Sequence, residues 1–542
     1  MTESKTEKFI RMLICVFAVF LTGILAIAAI FSTTGMEIIN YGNEVDNIVE
    51  RIRDGNEVVW YYHDNIFANL IWLVIEFAVC FAVMPYLKKL SLKWEILLVS
   101  IWVIFLGSIW VFSSQVSPTY DSEKVVSAAA EAANNQFSFM EDNYFSYYSY
   151  QLGYVLFNEI IFRIHNLFVQ EDTFLFLEFL NVLFLAGIYA GILTLNKLLF
   201  KDSRIHHLTA VLLLFSIQPL LACVFIYAIY PGMLFAVWGM VFEVLYFQTQ
   251  KIRFISLSAV CIAFAYLIKP NYLIFLIAML IVAGTKGLNL LKEPGKLAVC
   301  FAYILLSCCL AFSLPNYITK FYEARSDIQL GEAIPMTSFI AMGLNASESA
   351  PGWYNENYTI INFENHQYNA KEASQASVEN IKEQLRNFSE HKHYIDEFFY
   401  KKFMSQWNET SYQSIWNNKV REQYQPKGKL SAWVCNGGEQ SVKYYMDIYT
   451  QLIFISVFMG CIACFCKKNL IQTFSPLIII GGMLYHLMAE SKSQYAMPYY
   501  ILMTGFAAVG ICWMYDNFKK KFPNFQFKWR ILNGTKKSNP SQ

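Results

Sequence analysis

Repeated apolar runs, many of about 18 or more residues, set the first limit on what this chain can become. A helix of that length crosses a hydrocarbon layer of ~30 Å, and inside lipid each backbone polar group must be satisfied within its own segment. The candidate spans are 10–31, 66–87, 94–114, 173–199, 208–229, 231–248, 254–268, 271–284, 297–315, 448–466, 470–489 and 494–515. Of 542 residues, 56% are hydrophobic and only 15% are charged, against about a quarter charged in soluble chains. The reading is an all-α polytopic membrane protein with about twelve transmembrane helices, whose first partner is the lipid bilayer. A net charge of +1 with no basic face argues against nucleic acid.

Short loops rich in Lys and Arg should face the cytoplasm. Lys5, Lys8 and Arg11 place the N-terminus there. Further basic groups follow every second span: Lys88, Lys89 and Lys93; Lys197, Lys201 and Arg204; Lys251 and Arg253; Lys286, Lys292 and Lys296; Lys467 and Lys468; Lys519 to Lys521. Twelve spans with both termini cytoplasmic satisfy all of them. The run 254–284 contains "IKPN" at Ile268–Asn271, and proline removes a helical hydrogen bond while disfavouring helix in the residue before it. A hairpin turning at Lys269-Pro270 is expected, with arms short enough to leave a crevice. Segment 12–31 ends like a signal peptide, but its apolar region exceeds the usual ~7–15 residues, so an anchor is expected.

The expected organisation is two N-terminal spans (1–93), a membrane core (94–315) with a first outer loop at 115–172, an extracytoplasmic helical lid (316–447), C-terminal spans (448–515) and a cytoplasmic tail (516–542). In the lid, Val378, Ile381, Leu385 and Phe388 recur at helical spacing, as do Ile395, Phe398, Phe399, Lys402 and Phe403 toward Trp407. Eleven of the twelve cysteines lie in or beside apolar runs, so no disulfide framework is indicated. Cys461 and Cys464 read as core packing. No ligand pattern for a structural zinc ion stands out, and the sequence leaves open whether a divalent cation is required.

Polar outliers gather on the outer side. "VSPTYDSEKVV" sets Asp121 at the head of a helix over 122–134, where it suits an N-cap. "FMEDNYFSYYSYQLGY" supplies Glu141, Asp142 and Gln151, with Tyr144, Tyr147, Tyr148 and Tyr150 as an interfacial aromatic belt. Lys269 marks the hairpin tip. "HLMAESKSQYAMPYY" carries His486, Glu490 and Lys492. The plain reading makes the lysines snorkelling residues and pairs Glu490 with Lys492. Together, acids and cations beneath a lid at a membrane surface suit a lipid-linked phosphosugar. Transfer of its sugar needs a carboxylate to take the acceptor's proton and cations to stabilise charge on the departing phosphate. Asp121 fits the first role, Lys269 and Lys492 the second. Without a glycine-rich phosphate loop, no cytosolic nucleotide site is indicated.

"SPTYD", "YYSYQLGYVLF", "LIKPNYLIF" and "GGMLYHLMAESKSQYAMPYY" carry a resemblance to the membrane-embedded C-type (GT-C) glycosyltransferases, which include protein O-mannosyltransferases and aminoarabinose transferases. "IPMTSFIAMGL" and "SQWNETSYQSIW" resemble the Gram-positive branch. The resemblance runs from about Ile96 to Tyr515. It implies a polyprenyl-phosphate-linked sugar donor, a hydroxyl acceptor on a cell-envelope polymer, lipid or protein, and Asp121 as the general base. Where the mannosyltransferases have an Asp-Glu pair, Asp121 is followed by Ser122 and Glu123, and two spans precede the usual first helix. Abundant Lys, Asn, Tyr and Phe suggest an AT-rich bacterial genome, and with it a bacterial plasma membrane as the expected location.

Two rivals stand beside this reading. A proton-coupled secondary transporter would use intramembrane acids such as Glu76 and Glu243. A polysaccharide polymerase or ligase would depend on lid residues such as His391 or His393.

Overall fold

A computed structural model describes residues 3–39, 56–87, 90–168, 174–291, 293–419, 428–466 and 469–523. Lys88, Lys89, Lys292, Lys467 and Lys468, used above for orientation, and the tail beyond residue 523 lie outside the described residues. Helix α1 (Lys5–Phe31) leads into an antiparallel pair, β1 (Ser32–Ile39) and β2 (Asn56–His63). Then follow α2 (Ile66–Val83), α3 (Leu92–Ser114), α4 (Asp121–Ala133), α5 (Asn143–Tyr147), α6 (Leu152–His165) and α7 (Leu175–Leu199). Next are α8 (Ser203–Phe215), α9 (Ile217–Leu221), α10 (Ile229–Thr249), α11 (Ile252–Ile268), α12 (Leu273–Leu288) and α13 (Pro294–Ser326). Beyond these come α14 (Met336–Gly343), α15 (Ala370–Glu390), α16 (Lys392–Trp407), α17 (Glu439–Phe465), α18 (Phe474–Met488) and α19 (Met497–Lys521).

Ten of these helices, some extended by a 3-10 turn, are long and apolar enough to cross a membrane; the bent pair α8–α9 would make an eleventh. The shorter α11 occupies the remaining expected span. The chain is an all-α polytopic membrane protein. The expected single span 208–229 is broken instead, with α8 and α9 meeting at 50°. Pro219 is the cause, since its ring would collide with the carbonyl of Phe215 four residues earlier. That freed carbonyl accepts from the Tyr445 hydroxyl at 2.7 Å. The Pro270 break falls where expected: α11 ends at Ile268 and Lys269 is extended.

Helix α1 packs along α17, which lies against α19. Gly510 permits that second approach, because a Cβ there would stand 1.8 Å from the Ser456 carbonyl oxygen. Small residues let helix backbones meet closely where lipid supplies no hydrophobic drive. Helix α2 buries only Asn69 and Ala82 and turns Phe67, Ile71 and Val74 outward, as a lipid-facing helix should.

The strand pair was not anticipated in the acidic 32–65 segment. It packs on the lid: the Thr34 amide donates to the Asn408 carbonyl and the Val59 amide to that of Ser349. In the lid, α15 and α16 form where expected, but the buried face of α15 is Ala373, Ser377, Gln384 and Phe388. Val378 and Leu385 of the anticipated stripe are exposed. The small polar side chains interlock with α14, where Ser338 and Ser377 share a hydrogen bond of 3.0 Å, so polar pairing decides the face. Residues 402–416 are buried throughout.

Candidate functional site

The first turn of α4 is pinned by its second residue. Ser122 donates its hydroxyl to the Ile226 carbonyl, which sets Asp121 beside Tyr227. Asp121 is the first helical residue, not the cap: the N-cap is Tyr120, with no side-chain cap bond. The capping role expected for Asp121 is therefore replaced by a carboxylate aimed elsewhere. Tyr120 has φ +52°, a region costly for a bulky L residue and common at functional sites.

Three further segments complete the arrangement. Gln151, where α6 begins, donates from Nε2 to the hydroxyls of Tyr227 at 3.0 Å and Tyr144 at 3.3 Å. Lys269, in the break between α11 and α12, holds its Nζ 4.1 Å from the Tyr227 ring centre and 5.3 Å from that of Tyr495. A ring face attracts a cation most strongly when both are desolvated. Glu490, in the turn after α18, accepts from the Tyr495 hydroxyl at 3.4 Å. Lys492 completes the turn and pairs with Glu57 of β2 at 3.8 Å.

The charges are coupled. Burial raises the Asp121 pKa, while the Tyr144 hydroxyl facing it and the charges of Lys492 and Lys269 pull it back. The residue as a whole nonetheless keeps solvent exposure. Burial pushes Glu490 up to about 7, opposed by Lys492 and reinforced by Asp121. Burial brings Lys269 down to about 8, against the pull of Glu490 and Asp121. Two cations and two acids thus lie close enough to feel one another's charge, with one acid poised near neutrality.

Of the expected residues, Asp121, Lys269, Lys492, Gln151 and Glu490 come together. His486 stands behind them, its Nδ1 2.9 Å from the Glu490 carbonyl oxygen and its ring stacked on Tyr495; it positions the turn. Glu141 and Asp142 do not join. Glu141 is exposed at the end of a 3-10 turn. Asp142 caps α5 through the Tyr144 amide and pairs with Lys124. Arg325, an obvious spare cation of the lid side, is committed to Glu159 at 2.8 Å.

Three of the four tyrosines of the expected interfacial belt make contacts within the protein. Tyr147 stacks on Tyr368 and Tyr148 packs against Phe339, so these rings meet the lid, while Tyr144 faces Asp121. Nothing local marks Tyr227 or Tyr495, although each lies in an aromatic segment. Lys402 was placed only on an apolar stripe. It is fully buried, and its ammonium donates to the carbonyls of Gly343, Leu487 (3.1 Å) and Ala489 (2.9 Å), tying the lid to the Glu490 turn.

A family model described as "Conserved hypothetical integral membrane protein" matches residues 7–509, and the chain belongs to that family. No curated protein matches it.

Proposed function

We propose that this conserved integral membrane protein is a glycosyltransferase, moving a sugar from a polyprenyl-phosphate donor to a hydroxyl acceptor at the Asp121 recess. The observation that carries the reading is the convergence of Asp121, Lys269 and Lys492 from three distant stretches of chain. Asp121 takes the proton of the acceptor hydroxyl as its oxygen bonds to the anomeric carbon. The bond from that carbon to the phosphate oxygen breaks, and its electron pair leaves with the phosphate. Lys269 and Lys492 stabilise the charge that develops there. The resemblance to the C-type glycosyltransferases supports the same roles. The distribution of basic loops in the sequence supports placing this chemistry on the side facing away from the cytoplasm. A cell-envelope polymer, lipid or protein as acceptor belongs to this proposal too. As for the transporter reading, Glu243 is engaged with Tyr303 in the core, which gives it a local partner.

The test does not require the sugar to be known. Polyprenyl phosphate, the product on this reading, is titrated into full-length protein in lipid nanodiscs. Wild type should bind it, and the Lys269→Ala/Lys492→Ala double variant should bind at least tenfold more weakly. Equal binding by both proteins, or none by wild type, would end the proposal.

A further inference from the structure

Glu95, His206 and His207 meet inside the helix bundle, away from the recess. Glu95 lies in the first turn of α3, and the two histidines are consecutive on α8. From Glu95, α3 runs ~28 Å to the end nearer Asp121, at 1.5 Å per residue. The three residues are 4%, 2% and 5% exposed. His206 Nδ1 lies 2.7 Å from one Glu95 oxygen, and His207 Nδ1 contacts the other. One ligand atom from each residue falls within 4.8 Å of the other two.

A hydrogen-bonded core cluster accounts for only part of this. Consecutive helical residues point ~100° apart at 3.6 residues per turn, yet both imidazoles turn the same nitrogen onto one carboxylate. Glu95 is a carboxylate held away from water, which is costly unless its charge is paired. The Nε2 of His206 is buried and has no hydrogen-bond partner among the described residues, so the cluster is not complete as a closed set of hydrogen bonds.

The geometry points to a divalent transition-metal site with Glu95, His206 and His207 as its ligands. Two imidazoles and a carboxylate without thiolate suit zinc and its first-row neighbours, while magnesium and calcium favour oxygen alone. A three-residue set leaves a fourth tetrahedral position for water. The ion neutralises Glu95 and ties α3 to α8, helices that already pack together. This inference does not rest on glycosyl transfer.

The test uses full-length protein carrying a histidine-free tag, purified in detergent, stripped with a chelator and reloaded with Zn2+. Metal per chain is then read by mass spectrometry. Wild type should retain about one ion, held by the three buried ligands. His206→Asn and His207→Asn should each retain less than about a tenth of that. Asparagine can place an amide nitrogen near the Nδ1 position, keeping a donor toward Glu95 while giving up the ligand. X-ray absorption of the zinc-loaded wild type should show two imidazoles in the first shell, a readout that stands even if a variant fails to fold. Wild type at background metal content, an Asn double variant that binds as much as wild type, or a shell without two imidazoles would each overturn the site.

Discussion

Lys269 stands over Tyr227, its Nζ 4.1 Å from the ring centre, while the Tyr227 hydroxyl accepts from Gln151 at 3.0 Å. The lysine is 8% exposed, so its charge rests on the ring and on Glu490 and Asp121 more than on water. A phosphate in the recess would complete that compensation. Lys269→Ala should lower kcat/KM for a polyprenyl-phosphate donor by about 10- to 150-fold, matching the ~1.5–3 kcal/mol of a hydrogen bond to a charged group.

The same group sets the pH dependence. Burial lowers the Lys269 pKa to about 8, so the cation is present below that value and lost as pH rises through it. Burial raises the Asp121 pKa, so the base becomes competent at higher pH than an ordinary aspartate would. Transfer should rise with pH on the acid side and fall near pH 8. Lys269→Arg, which stays protonated, should remove the alkaline limb and leave the acid limb in place. A profile with its alkaline limb unmoved in the Arg variant would assign that limb to another group.

Lys402 offers a stability test. Three carbonyls accept from its nitrogen, which uses all three protons of an ammonium, although burial pulls its pKa down to about 7. Gly352 makes room for it: φ is +73°, and a Cβ would stand 2.6 Å from Lys402 Nζ. Lys402→Met should leave those carbonyls without their donor, at ~1–3 kcal/mol for each group left unsatisfied. Thermal unfolding should begin at lower temperature, and protease should cut the 316–447 segment faster. An unchanged melting temperature would show that the lid is held by other contacts.

The helices were legible because span length and proline chemistry act locally. Pro270 announces its break from the sequence alone, and so would Pro219, had its carbonyl partner Phe215 been weighed. The recess was legible as a list of outliers and illegible as a shape. Asp121, Lys269 and Lys492 stood out as charges beside apolar runs. Tyr227 and Tyr495 did not, because a tyrosine among tyrosines carries no local signal. Lys402 was hidden for the opposite reason: on a helix it continues an apolar stripe, and only the three carbonyls from other segments explain its burial. Glu141 and Asp142 show the converse error, since proximity in sequence to Tyr144 does not carry them into the recess.

Orientation is open to a labelling experiment. In a chain with its native cysteines replaced, single cysteines at exposed Glu123, Gln375 and Glu293 report three different segments. The basic loops predict that the first two react with an impermeant thiol reagent in whole cells and that Glu293→Cys reacts only after lysis. Ser122 is unsuitable, because it is 1% exposed and bonded to Ile226. Reaction of Glu293→Cys in intact cells would invert the loop between α12 and α13, and the recess could no longer be assigned to the outer face.

Asp121→Asn separates chemistry from architecture. An aspartate that capped α4 would be replaced well by asparagine and poorly by alanine. Here the cap position belongs to Tyr120, and the Asp121 side chain makes no cap bond. Both Asp121→Asn and Asp121→Ala should therefore keep near-wild-type melting temperatures. A general base must accept a proton, which an amide does not do at neutral pH, so both variants should lose ~10²–10⁴ in transfer rate. Binding of polyprenyl phosphate should persist or tighten, because removing the carboxylate leaves Lys269 and Lys492 with one fewer anion between them. Turnover at the wild-type rate by the Asn variant would remove Asp121 from the reaction. Loss of turnover together with loss of polyprenyl-phosphate binding would make it a structural part of the recess, with the base elsewhere.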